Sequence, residues 1–146
     1  LPILFRWAMR ESMSENMLNS PSSALYSCGI YADSGEPATY SAIDVMKEYG
    51  VDMNNHRATN IKETKIEQMD LILCATVSHK QIVLNMYPEL TGKVYTLKEY
   101  VGIGKEGKNM DIKDPWGCNI ETYKQCAEEI KQCLEMLIDN NSKKGI

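Results

Sequence analysis

Only two of the 146 residues are histidine, and they lie far apart; the five cysteines form no CxxC pair. These shortages argue against a zinc site. An odd number of cysteines at irregular spacings also argues against a secreted disulfide framework, so reduced thiols and a cytoplasmic location are expected. Long hydrophobic runs are missing. The longest clean one, Leu71-Ile72-Leu73-Cys74-Ala75, is far short of a bilayer span. Arg6 and Arg10 interrupt the first apolar residues, so no signal-peptide layout is present. There is no basic excess either: 16 Lys and Arg stand against 20 Asp and Glu, a formal charge of −4. Neither a nucleic acid nor a membrane is therefore expected as partner. Internal repeats, linkers and low-complexity segments are absent, and the chain starts Leu1-Pro2-Ile3 without an initiator methionine. With 43% hydrophobic and 25% charged residues, the composition is that of one domain, 1–146, with its own core.

Apolar residues at Ile3, Leu4, Trp7, Ala8, Met9, Met13 and Met17 have helical spacing, which predicts a helix over 2–18. A short strand at Ile3-Leu4-Phe5 is the competing reading, and 19–23 is loop chemistry. Ala24 to Ile30 reads as a strand and 33–37 as a turn. Ala42, Val45, Met46 and Tyr49 predict an amphipathic helix over 38–49, stopped by Gly50. A short helix is expected over 63–69. The apolar run from Asp70 to Ala75 predicts a strand buried on both faces. A helix over 78–86, ended near Pro88, and a strand over 93–97 follow. Residues 99–116, with Gly102, Gly104 and Gly107, read as a long loop. Asn119 is placed to cap a last helix, with Ile120, Tyr123, Ala127, Ile130, Leu134 and Leu137 as its apolar stripe. Residues 140–146 are expected to fray. Strands alternating with helices predict an α/β fold with a parallel sheet, whose ligands sit at the carboxyl ends of the strands.

The string with most chemistry is Asp111-Ile112-Lys113-Asp114-Pro115-Trp116-Gly117. It puts a carboxylate, a rigid proline, an aromatic and a glycine directly before a helix. An acid on a loop tip can protonate a leaving group, and the aromatic can wall a substrate ring. The competing reading is an ordinary Asp-Pro turn.

This string resembles the general-acid loop of the low-molecular-weight protein tyrosine phosphatase family. Ser27-Cys28-Gly29 is similar to the end of that family's second strand. Val45-Met46-Lys47-Glu48-Tyr49-Gly50-Val51-Asp52 with Asn55-His56-Arg57-Ala58 resembles its next helix and His-Arg loop. Asp70-Leu71-Ile72-Leu73-Cys74, Ser78-His79-Lys80, Val94-Tyr95-Thr96-Leu97-Lys98-Glu99-Tyr100 and Tyr123-Lys124-Gln125-Cys126 continue the resemblance in family order. The closest likeness is to small bacterial members, a group that includes protein arginine phosphatases. The resemblance implies a single three-layer α/β domain, phosphotyrosine phosphatase I-like, with a short twisted parallel sheet (four strands in the family) and helices on both faces. It implies a cysteine-dependent phosphatase of phosphotyrosine or phosphoarginine proteins with no cofactor or metal. Asp114 then takes the catalytic acid role and Trp116 the substrate wall. Pro115 and Gly117 support the acid loop, and Ser27, His56 and Arg57 support the active site.

The family's nucleophile sits in a Cys-x5-Arg-Ser/Thr loop that cradles phosphate. Six residues on from the cysteines of this chain stand Ser34, Lys80, Lys124, Gln132 and Asp139, none of them arginine. Family spacing puts the nucleophile just upstream of Leu1, so the chain is expected to be N-terminally truncated after the catalytic loop and to lack the first strand. The other reading makes Ile3-Leu4-Phe5 a remnant of that strand. Either way these 146 residues are expected to be inactive. The rival function is a non-catalytic pseudophosphatase binding module, with homodimerisation across an exposed strand edge; a phosphorylated protein is the partner if the loop is present. An unrelated receiver or flavodoxin-like domain is the third reading, disfavoured because no acidic pair precedes the first candidate strand.

Other features have plainer readings. Cys74-Ala75-Thr76-Val77-Ser78-His79-Lys80 invites a replacement loop, but without glycine an anion nest is hard to form, so Cys74 reads as a buried strand residue. Cys126 and Cys133 read as core residues on the last helix, Cys118 as an exposed thiol and His79 as a surface residue. His56-Arg57 is either a loop support or a solvated polar turn.

Overall fold

The computed structural model of the chain describes residues 26–103 and 109–143, with side chains up to residue 140. The expected helix over 2–18, the loop over 19–23, Gly104, Gly107 and the last three residues lie outside the described residues. Helix α1 spans Tyr40–Glu48 and begins where the Thr39 hydroxyl accepts the Ala42 N–H at 3.3 Å. It stops at Gly50, whose φ of +79° is the left-handed conformation that glycine adopts most easily. Ala42, Val45 and Met46 are its buried face.

Strands β1 (Ile72–Cys74) and β2 (Val94–Thr96) pair in parallel, Leu73 opposite Tyr95. Helix α2 (Val77–Met86) makes the crossover between them, capped by the Thr76 hydroxyl on the His79 N–H. The sheet divides the core. Ile72 and Cys74 pack into one cluster with Ile61, Ile66, Val83, Leu90 and Val94. Leu73 and Ala75 pack into the larger cluster with α1 and the last helix. The period-two alternation of a strand thus delivers successive side chains to opposite layers. Burial of β1 is less complete than its apolar run predicts: Ile72 and Leu73 are half-buried, and among the described residues β1 has β2 as its one strand neighbour.

Helix α3 (Leu97–Val101) starts directly after β2, so Leu97 is helical and the expected strand over 93–97 is shorter. The reason is a capping box. Thr96 Oγ1 accepts the Glu99 N–H at 3.0 Å, while Glu99 Oε2 accepts the Thr96 N–H at 3.1 Å. Lys80 Nζ reaches both Glu99 oxygens, at 3.0 and 2.9 Å, and ties α2 to this junction. Burial pushes the Glu99 carboxyl up, but the Lys80 ammonium and Thr96 N–H outweigh it and hold the group below its ordinary value. The predicted loop over 99–116 therefore opens with a helix.

Helix α4 (Ile120–Lys143) is the longest element, with the Asn119 side chain accepting the Thr122 N–H at 3.0 Å. Tyr123, Ala127, Ile130, Leu134 and Leu137 are buried as their spacing predicts, but Ile120, in the first turn, is 41% exposed. The helix extends past Ile138 to Lys143, and the first glycine after Asn119 is Gly145.

Two further expectations need correction. Among the described residues, the strand expected over 24–30 is a single parallel bridge from Gly29 to Asn60. Asn60 ends the pairing, because its side chain caps the 3-10 turn Ile61–Glu63 and donates to the Ala32 carbonyl at 2.8 Å. Gly29 is needed there: a Cβ would stand 2.9 Å from that of Ala32. The helix expected over 63–69 is two 3-10 turns, Ile61–Glu63 and Ile66–Gln68. They are separated by extended Thr64, whose hydroxyl donates to the Ile61 carbonyl at 2.6 Å.

The substitution Thr96→Val keeps the buried volume and removes the cap. It is expected to cost about 1–2 kcal/mol in urea unfolding, with the m-value unchanged. A change within error would remove the capping box from the causes of this junction.

Candidate active site

The acid string is tied to the carboxyl end of β1. The Ala75 carbonyl, one residue past the strand, accepts the Ile112 N–H at 2.9 Å. The Asp111 carboxylate accepts the N–H of Val77, the first residue of α2, at 2.8 Å. That N–H has no partner inside its own helix, and a carboxylate there also meets the positive end of the helix dipole. The Ile112 side chain is 1% exposed in the larger core. On the far side, the Cys126 thiol of α4 contacts the Lys113 carbonyl at 2.8 Å.

Between these anchors the loop folds on itself. Asp114 Oδ1 accepts the Trp116 N–H at 3.0 Å, and the Pro115 carbonyl accepts the Cys118 N–H at 2.9 Å. Pro115 is buried, while Asp114 and Trp116 are exposed, the indole to 74%. Gly117 has a φ of +75° and open space around it, so it serves the loop by its backbone conformation.

Asp114, Pro115 and Trp116 line a cavity of about 460 Å³. Tyr31, Glu36, Thr39 and Tyr123 form other parts of its wall, with Thr39 Oγ1 and the Tyr123 hydroxyl 3.2 Å apart. A smaller cavity of about 100 Å³ is lined by Ser27, Cys28, Gly29 and His56. Ala32 and Ala58 belong to both walls, so the two cavities are neighbours. Arg57 lines neither. Its guanidinium donates to the carbonyls of Asn54 (3.0 Å) and His56 (2.8 Å), which makes it a clamp on its own loop. The same loop is held by Asp52, which accepts the Asn54 N–H at 2.9 Å; that bond lowers the Asp52 carboxyl from its ordinary value. Tyr31, Glu36, Thr39 and Tyr123 escape sequence reasoning because no local motif joins them; the cavity does.

Four of the five cysteines are poor nucleophiles. Burial pushes Cys74 up to about 12 and Cys126 up to about 11, and it raises Cys28 and Cys133 as well. Attack requires thiolate, so these four are unsuited to it near neutral pH. Lys80 does not complete a phosphate loop with Cys74, since its ammonium is taken by Glu99 and stands 5.7 Å from the Tyr95 ring centroid. Cys118 is exposed and His79 half-buried. Among the described residues, no group of three His, Cys, Asp or Glu side chains is arranged to hold a metal, and no helix is long and apolar enough to cross a membrane.

Titration with dithiobis(nitrobenzoate) at pH 8 is expected to show one fast thiol, Cys118, with Cys74 reacting only on unfolding. Rapid labelling of Cys74 would contradict its burial. Linkage adds a second expectation. The Cys74 thiol stays protonated in the folded chain to about pH 12, but loses its proton near its ordinary 9.0 when unfolded. Stability falls as pH rises through that window, by up to about 1.4 kcal/mol per unit from this thiol. Cys74→Ala is expected to make that slope shallower, with Cys126, Cys28 and Cys133 supplying the remainder; an equally steep slope in the variant would contradict the assignment.

The family model described as low molecular weight phosphotyrosine protein phosphatase matches residues 6–145. The chain is 35% identical over 111 residues to a protein-arginine-phosphatase of Bacillus subtilis, covering 76% of this chain and 71% of that one. It superposes on the arginine phosphatase of Geobacillus stearothermophilus with a TM-score of 0.82 at 26% identity, covering 98% and 86% of the two chains. It superposes on a low molecular weight protein tyrosine phosphatase of T. tengcongensis with a TM-score of 0.71 at 36% identity, covering 92% and 90%. A parallel sheet between two helical layers, with the loop 111–117 at the carboxyl end of its first strand, accords with these matches, and the chain belongs to the low molecular weight phosphotyrosine protein phosphatase family.

Proposed function

We propose that this chain carries the acid side of a protein phosphatase site that releases phosphate from phosphorylated tyrosine or arginine side chains. The observation that carries the reading is the placement of Asp114 on a doubly anchored loop at the wall of the larger cavity. Oδ1 is occupied by the Trp116 N–H, which leaves Oδ2 to hold the transferable proton. Where a Cys-x5-Arg loop completes the site, its thiolate takes the phosphoryl group as the bond from phosphorus to the side chain breaks, and that proton passes to the leaving oxygen or nitrogen. The resulting carboxylate then takes a proton from the water that releases phosphate. Trp116 and Tyr31 offer aromatic faces to a flat side chain. Pro115 and Gly117 fix the loop, and Ser27, His56 and Arg57 build the neighbouring wall and its supporting loop. The five free thiols suit a reducing, cytoplasmic setting.

The nucleophile belongs to a Cys-x5-Arg loop, and no cysteine of these 146 residues has arginine six positions on. With four of the five thiols raised by burial, we propose that these residues alone do not turn over phosphate esters. The same observation favours a second reading, a non-catalytic module that keeps the scaffold and binds a partner or a second copy. The test is an assay of the chain with para-nitrophenyl phosphate and with phosphotyrosine and phosphoarginine peptides, beside Asp114→Asn. No turnover above buffer is expected from either. Turnover by the unaltered chain that is lost in Asp114→Asn would overturn the proposed inactivity and establish the acid. A monomer by light scattering with micromolar phosphate affinity would count against the binding-module reading.

A further inference from the structure

We infer that Glu36 is a specificity-determining residue: its carboxylate pairs with the guanidinium of a phosphorylated arginine in the cavity that Asp114 serves. The inference rests on the phosphatase reading and adds a substrate preference to it. Two acidic residues, Glu36 and Asp114, and no lysine or arginine are among the described residues that line the larger cavity. Arg57, on the adjoining loop, spends its guanidinium on two backbone carbonyls. Two acidic residues suit a cationic group, and the rings of Tyr31 and Trp116 suit a flat one. A phenol ring and a guanidinium both stack on such faces. Only the guanidinium brings a positive charge and a fork of N–H donors that match a carboxylate.

Of the two carboxylates, Asp114 is committed to the proton and to the Trp116 N–H. Glu36 is the one left for recognition. Its backbone is pinned, for its carbonyl accepts the Ala58 N–H at 2.8 Å and its N–H donates to the Asp33 carbonyl at 3.1 Å. The neighbouring Gly35 N–H donates to the Ala58 carbonyl at 2.9 Å. Across this turn, Glu63 is occupied by the Ser34 hydroxyl at 2.6 Å. The Glu36 carboxylate has no hydrogen bond or ion pair among the described residues. A free carboxylate on a fixed turn is positioned at little further entropic cost.

The test uses the full 146-residue chain and two probes, N-acetyl-arginine methylamide and N-acetyl-tyrosine methylamide, followed by the indole N–H resonance of Trp116. The arginine amide is expected to shift that resonance saturably. Glu36→Gln is expected to weaken it about threefold or more, and Glu36→Lys further, as for a partly exposed ion pair to a planar fork. The tyrosine amide is expected to bind both variants as it binds the unaltered chain. Equal arginine affinity with and without Glu36, or equal losses for the two amides, would overturn the inference while leaving the cavity as a substrate site. If neither amide moves the Trp116 resonance in the unaltered chain, both the inference and the reading of this cavity as the substrate site fall.

Discussion

The position of the candidate acid depends on one backbone contact, the Ile112 N–H on the Ala75 carbonyl just past β1. It fastens a glycine-rich connection to the end of the sheet, and the bond from Asp111 to the first N–H of α2 repeats the fastening. The long stretch between α3 and α4 would otherwise leave Asp114 free to wander, at an entropic cost to any fixed placement at the cavity. Burial of Ile112 makes the attachment hydrophobic as well as polar. The loop thus belongs to the core on one side and to the cavity on the other.

The same core decides what the cysteines can do. Cys74 lies on β1 in one cluster, and Cys126 and Cys133 lie on α4 in the other. Desolvation keeps them as neutral thiols, which suits packing and opposes nucleophilic attack. Asp114, Trp116, Tyr31 and Glu36 line one cavity, and these buried thiols do not line it. Asp114 and Glu36 lie on two segments that meet only through the fold.

The parts legible in the sequence are those set by local physics. The stripe Ala42, Val45 and Met46 and the stripe from Tyr123 to Leu137 are buried as their periods require. Asn119 caps α4 as its type predicts. The helix α3 was also signalled, by Thr96-x-x-Glu99, but the glycines that follow hide it in what looks like one loop. Other features depended on partners distant in sequence. Nothing in 24–30 foretells that Asn60 would end its pairing after one bridge, and nothing near Glu36 foretells that Asp114 would share its cavity. Asp114 and Trp116 were legible as a motif, yet their anchor on Ala75 and Val77 was not.

The most direct test of this account is hydrogen exchange at two amides, Ile112 and Val77, measured by NMR on the native chain. Both N–H groups are bonded in the anchor, so both are predicted to exchange slowly, at rates close to those of the β1 amides. Exchange of Ile112 at the rate of an open loop, with β1 still protected, would contradict the account, because Asp114 would then have no fixed place at the cavity.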